Sequence, residues 1–134
     1  MVDKLFVYGS LLKGAGNQMA QLLHEKGNFL GEGYLKGTLY KVDWFPAVVP
    51  DTQTASLVYG HIFHLEQPQK VLSIFDTYEN YYPDDPSKSL YLRVQQSILY
   101  KEEQIECWVY VWNQSLKGLT WIPSGNYLEY LKRL

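Results

Sequence analysis

The sequence predicts an α+β domain: a small, curved, mostly antiparallel β-sheet of about five to six strands, closed into a barrel, with two or three short helices. Three observations predict it. Short β-prone runs outnumber helical stretches, and the two kinds come in mixed order rather than in strict alternation. Tyrosine and tryptophan are abundant, 12 and 4 in 134 residues, which favours strands and supplies polar-tipped walls for a pocket. Between 107 and 112, Trp108, Tyr110 and Trp112 alternate with Cys107, Val109 and Val111, so both faces of one strand are apolar and both need cover. Closure of a short sheet explains that cover. The length suits one domain with no linker.

Leu5-Phe6-Val7-Tyr8 is a β-prone run cut off by Gly9-Ser10, and Gly14-Ala15-Gly16-Asn17 punctuates the next few residues, so a first strand leads into a loop. Over 17–24, Met19, Ala20, Leu22 and Leu23 take the spacing of a short amphipathic helix, with Gly27-Asn28 as its stop. Residues 35–42 and 58–64 read as strands. Between them, Trp44-Phe45-Pro46 and Pro50-Asp51 break regular pairing and predict an irregular segment. Pro68 suits the first turn of a helix whose Val71, Leu72, Ile74, Phe75 and Tyr78 keep one apolar face, and Glu79 falls at its end. Residues 80–89, with Pro83, Asp84, Asp85 and Pro86, form a loop. Residues 90–100 and 105–112 then make a hairpin joined at Lys101-Glu102-Glu103. A Pro123-Ser124-Gly125-Asn126 turn precedes a last helical turn over 127–131.

Composition excludes several classes of function. A formal net charge of −2 with interspersed signs offers no footprint for a nucleic-acid backbone or an anionic membrane surface. The single cysteine, Cys107, can form no internal disulfide and reads as a core residue in a reducing compartment. The chain starts on a strand-like run without a signal-peptide pattern, and no segment approaches the roughly 20 apolar residues needed to span a bilayer, so a cytoplasmic location is expected. His61 and His64 would point to opposite faces of a strand, the wrong arrangement for a shared metal. Ser10 lacks a nucleophile elbow, and Gly14-Ala15-Gly16 lacks both the dinucleotide and the P-loop pattern. No metal or cofactor is expected.

Two places carry candidate chemistry. In Tyr8-Gly9-Ser10-Leu11 a strand ends on a glycine that lets backbone N–H groups approach a carboxylate or a carbonyl oxygen. The same pattern also fits an ordinary turn. Glu79 sits at the negative end of a helix and next to Asn80-Tyr81-Tyr82. Dipole and partial burial would both raise its pKa toward the range useful for moving protons. A solvated loop carboxylate is the plain alternative, and Asp76, Asp84 and Asp85 read that way too.

Taken together, Phe6-Val7-Tyr8-Gly9-Ser10-Leu11, Phe45-Pro46-Ala47-Val48-Val49-Pro50, Tyr59-Gly60, Phe75-Asp76-Thr77-Tyr78-Glu79, Tyr91-Leu92-Arg93, Trp108-Val109-Tyr110-Val111 and Ile122-Pro123-Ser124-Gly125-Asn126-Tyr127 resemble the γ-glutamylcyclotransferase-like family in order and spacing. That family includes AIG2-like proteins, γ-glutamylaminecyclotransferases and short bacterial proteins of the YtfP type. Asn126-Tyr127 departs from the Asp-Trp common at its closing motif. The resemblance implies a barrel with its helices outside and an enzyme that cyclises a γ-glutamyl group to 5-oxoproline, releasing an amine. It implies Glu79 as the general acid/base and Tyr8, Gly9, Ser10 and Leu11 as the substrate loop. Tyr91, Arg93 and Tyr110 are implied as pocket walls or supports, Arg93 serving equally well as a structural ion-pair partner. The implied partner is a small γ-glutamyl molecule; the oligomeric state stays open, a homodimer included. A catalytically silent ligand-binding or regulatory protein on the same fold is the main alternative. An interaction module using Tyr81, Tyr82, Tyr91, Trp108 and Trp112 would instead require an exposed aromatic patch.

Overall fold

The computed structural model describes residues 2–9, 18–43 and 45–133. Among these residues the order is β1 (Lys4–Val7), α1 (Gln18–Lys26), β2 (Gly27–Val42), β3 (Phe45–Pro50), β4 (Leu57–Leu65), α2 (Pro68–Tyr78), a 3-10 turn (Pro86–Lys88), β5 (Tyr91–Tyr100), β6 (Glu103–Trp112), β7 (Thr120–Trp121) and α3 (Tyr127–Lys132). Five strands close a barrel in the order β2-β4-β1-β6-β5, with β5 returning to β2 through Tyr34 and Leu99. The β1–β6 pairing is parallel and the other pairings are antiparallel. The remaining strands, β3 and β7, pair with the far half of β2.

Period-two alternation divides each barrel strand between two apolar regions. Phe6, Leu35, Val58, Ile62, Ile98, Cys107 and Val109 fill the barrel interior. Leu5, Val7, Phe63 and Tyr110 face outward and are covered by Leu23 of α1 and by Val71, Leu72 and Phe75 of α2. Both faces of β6 are therefore packed, as its alternation requires. Leu23 and Phe75 are fully buried, and each such side chain contributes about 1.5–3 kcal/mol relative to exposure. This seam fixes α2 against the barrel, and with it the end of α2 where Glu79 lies.

Three stretches differ from the sequence expectation. Gly27 does not stop the first helix at a loop; it begins β2, which runs sixteen residues instead of starting at Leu35. The register slips between Phe29 and Gly31, and Gly31 absorbs the bulge at φ 153°, a conformation that favours glycine. The segment expected to be irregular contains β3, from Phe45 to Pro50. Pro46 and Pro50 are tolerated because β3 is an edge strand that pairs on one side, so a missing N–H can face away from the ladder. A two-residue strand, β7, also forms where only loop was expected.

Candidate active site

The end of α2 is built by a left-handed cap. Asn80 takes φ 53°, the Tyr81 N–H donates to the Asp76 carbonyl at 2.9 Å, and the Asn80 N–H donates to the Thr77 carbonyl at 3.2 Å. This is the Schellman arrangement, with Asn in the position that glycine most often takes. Glu79 is thus the helix C-cap, its own N–H donating to the Phe75 carbonyl at 2.9 Å. The chain beyond the cap is held as well. The Leu90 N–H reaches the Asn80 carbonyl at 3.0 Å, and the fully buried Ser89 hydroxyl accepts from the Tyr82 N–H at 2.8 Å.

Beside this cap, at the end of β1, lies a cavity of about 160 Å³. Its buried side is formed by Phe6, Val7, Tyr8, Gly9, Tyr91 and Tyr110. Phe45, Tyr78, Asn80 and Leu90 line its more exposed side. The Tyr8 hydroxyl donates to the Tyr110 carbonyl, and the Tyr91 hydroxyl donates to the Pro46 carbonyl at 2.6 Å. Gly9 lies so close to Pro46 that a Cβ there would overlap the proline ring. Glycine is needed at this point to leave room for the Pro46 ring.

Among the described residues that line the cavity, Glu79 is the one charged side chain. It is half-buried, and loss of water around its carboxyl pushes its pKa from 4.5 up to about 7. Burial pushes Tyr8, Tyr91 and Tyr110 upward too, and the hydrogen bond to Asp76 adds to the shift at Tyr110. All three phenols stay neutral near pH 7 and act as hydrogen-bonding walls. The arrangement therefore offers one titrating carboxylate near neutrality in a mostly apolar pocket, which suits proton transfer.

The structure brings together Tyr8, Gly9, Glu79, Tyr91 and Tyr110; Ser10 and Leu11 lie outside the described residues. Arg93 does not line the cavity. Its guanidinium forks onto the Asp76 carboxylate at 2.7 and 3.2 Å and lies 4.4 Å from the centre of the Trp108 ring. Asp76, expected to be a solvated carboxylate, is only 7% exposed because it also accepts the Tyr110 hydroxyl at 2.7 Å. Its signal was present in the spacing: Leu72, Phe75, Asp76 and Glu79 form one i, i+3, i+4, i+7 stripe on α2. Phe45, Tyr78, Asn80 and Leu90 were not singled out as site residues, since nothing in a loop or edge-strand sequence says which side chains meet across space. Among the described residues, no group of three or more His, Cys, Asp or Glu side chains could hold a metal ion. No helix among them is long and apolar enough to cross a membrane.

The family model described as "Gamma-glutamyl cyclotransferase, AIG2-like" matches residues 5–129. A protein of Methanocaldococcus jannaschii, provisionally named gamma-glutamylcyclotransferase MJ1514, is 32% identical over 132 residues, spanning 96% of this chain and 98% of its own. The crystal structure of YkqA from Bacillus subtilis superposes with a TM-score of 0.74 at 20% identity, covering 99% of this chain and 42% of YkqA. An AIG2-like protein of Mus musculus superposes with a TM-score of 0.68 at 23% identity, over 93% of this chain and 87% of the mouse protein. At these identities the two structures speak for the fold alone, whereas the match over 5–129 and the archaeal relative speak for descent. The chain belongs to the gamma-glutamyl cyclotransferase, AIG2-like family.

Proposed function

We propose that this protein cyclises the γ-glutamyl part of a γ-glutamyl amide to 5-oxoproline and releases the amine, with Glu79 as its general acid/base. The observation that carries the reading is Glu79 itself: the one charged side chain among the described cavity-lining residues, fixed by a helix cap, with a pKa of about 7.

The substrate supplies its own nucleophile. Its α-ammonium gives a proton to the Glu79 carboxylate, and the freed amine attacks the γ-carbonyl carbon, forming the ring C–N bond. The tetrahedral centre then expels the amide nitrogen as Glu79 returns the proton to it, and the extra proton left on the ring nitrogen passes through the regenerated carboxylate to the departing amine or to solvent. One bond forms and one breaks, leaving 5-oxoproline and a free amine, and no cofactor is called for. Holding amine and carbonyl in attack geometry is worth up to about 7–11 kcal/mol, and a positioned acid/base about 10²–10⁴-fold. Gly9, pressed against Pro46, belongs to the loop from Tyr8 to Leu11 whose N–H groups would hold the glutamyl carboxylate and the developing oxyanion. The buried phenols Tyr8, Tyr91 and Tyr110 keep water out and shape the floor.

The test is 5-oxoproline release from a panel of γ-glutamyl amides by the intact protein beside folded Glu79→Gln. Turnover that falls at least ~10²-fold in the variant supports the assignment. Equal turnover by both proteins removes Glu79 from the mechanism, and no turnover on any amide leaves a ligand-binding protein.

A further inference from the structure

The two sides of the cavity differ in chemistry, and the difference bears on the amine that leaves. The buried side holds backbone, neutral phenols and Gly9, the features a compact glutamyl group would meet. The more exposed side holds Phe45, Tyr78 and Leu90 with the neutral amide of Asn80. Phe45 is 56% exposed, Tyr78 41% and Leu90 39%, a large apolar area left facing solvent around an opening. No charged side chain other than Glu79 lines the cavity among the described residues. Among the described residues an ammonium or carboxylate on the departing group would find no charged side chain but Glu79, while a flat apolar group would cover three hydrophobic side chains at once.

Resting on the cyclotransferase reading, we infer that the rim formed by Phe45, Tyr78 and Leu90 is a leaving-group subsite selecting uncharged, apolar amines, with aromatic amines preferred over amino acids. Phe45 reaches the rim from β3, the edge strand held to the barrel by the Tyr91–Pro46 hydrogen bond, so specificity and floor share one support. Because Phe45 is half exposed, its truncation removes contact with the ligand more than contact with the core.

The experiment compares three γ-glutamyl amides of one reaction type: phenethylamine, the ε-amine of lysine, and methylamine. Their kcat/KM values are measured with the intact protein, and their binding to Glu79→Gln by calorimetry. The inference expects phenethylamide to exceed the lysine conjugate by at least ~10-fold in kcat/KM and in affinity. It expects Phe45→Ala and Leu90→Ala each to shrink that margin and to lower kcat/KM for the phenethylamide severalfold more than for the methylamide. A lysine conjugate equal or superior to the phenethylamide, or a loss in Phe45→Ala that is uniform across the three, overturns it. If no amide is turned over, the cyclotransferase reading falls. The calorimetric order still decides the subsite: tighter phenethylamide binding sustains an apolar rim, and indifferent or absent binding removes it.

Discussion

Tyr110 and Asp76 are joined by a 2.7 Å hydrogen bond that ties the cavity wall on β6 to the helix ending in Glu79. Asp76 stands one helical turn before Glu79, and Arg93 of β5 clasps the same carboxylate with two bonds. One carboxylate thus fixes two barrel strands and α2 relative to one another, setting where Glu79 can sit. The pair is well covered, with side-chain exposures of 18% for Arg93 and 10% for Asp76. Removing one partner of such a pair leaves the other charge buried without its counter-ion, at a cost of about 3–5 kcal/mol. Asp76→Ala and Arg93→Ala should each lower stability by that order in urea denaturation. The double variant should lose less than the sum of the two. Additive losses would show that the pair is not coupled.

Glu79 should make stability depend on pH in a defined direction. Its pKa is raised from 4.5 to about 7 in the folded protein, so the folded state holds the proton more tightly than the unfolded chain. Below about pH 4.5 both states are protonated and the stabilisation relative to the ionised form is complete. It is lost progressively as pH rises through about 7, by up to about 3 kcal/mol. Glu79→Gln removes the titration. The variant should therefore gain on the parent at pH 8 and show no such gain at pH 4, read from urea midpoints at the two values. A difference that is the same at both would mean that Glu79 is not desolvated. In the active protein, kcat/KM should climb through pH 7 as the base ionises.

The legible parts of this site were those encoded locally. Pro68 and the apolar spacing from Val71 to Tyr78 bound α2 at both ends, which places Glu79 at its terminus from local signals alone. The cap was half legible: Asn80 is a residue that tolerates a left-handed conformation, although only the structure shows it adopting φ 53°. Asp76 reads as a solvated carboxylate because its identity suggests solvent while its partner Arg93 lies 17 residues away on strand β5. No local pattern joins them. Glycines at 27, 31 and 33 erased the alternation that would have marked the first half of β2, a stretch made into a strand by pairing with β4. The prolines of β3 carried a true message, that this strand cannot be central, yet along the sequence they read as no strand at all.

Tyr91 should serve as a tie between the barrel and the edge strand. Its hydroxyl donates to the Pro46 carbonyl at 2.6 Å, and its ring meets Trp112 edge-on at 5.4 Å. Tyr91→Phe keeps the ring packing and deletes the tie, leaving a buried carbonyl without this donor. The expected cost is about 1–3 kcal/mol in denaturant unfolding, with KM for the γ-glutamyl amide raised more than kcat is lowered. Unchanged stability would mean that β3 is held by its pairing with β2 alone.

Gly9 should be intolerant of even one methyl group, for a reason that can be relieved elsewhere. A Cβ at position 9 would overlap the Cγ of Pro46, and the proline ring cannot swing away as a flexible side chain would. The backbone beyond β1 would have to move, carrying with it the N–H groups proposed to meet the glutamyl carbonyl. A displacement of about 1 Å at a reacting group can cost about 10²-fold, so Gly9→Ala should lose turnover on that scale. The clash is steric and lies mainly with the ring, since the Pro46 Cβ stands at 3.1 Å, tight but tolerable. Pro46→Ala shortens the side chain to that atom and keeps the carbonyl bonded by Tyr91. Adding Pro46→Ala to Gly9→Ala should therefore restore part of the lost kcat/KM, although Pro46→Ala alone improves nothing. A double variant no better than Gly9→Ala would mean that position 9 needs glycine for its backbone conformation or for ligand approach, and that Pro46 is a bystander.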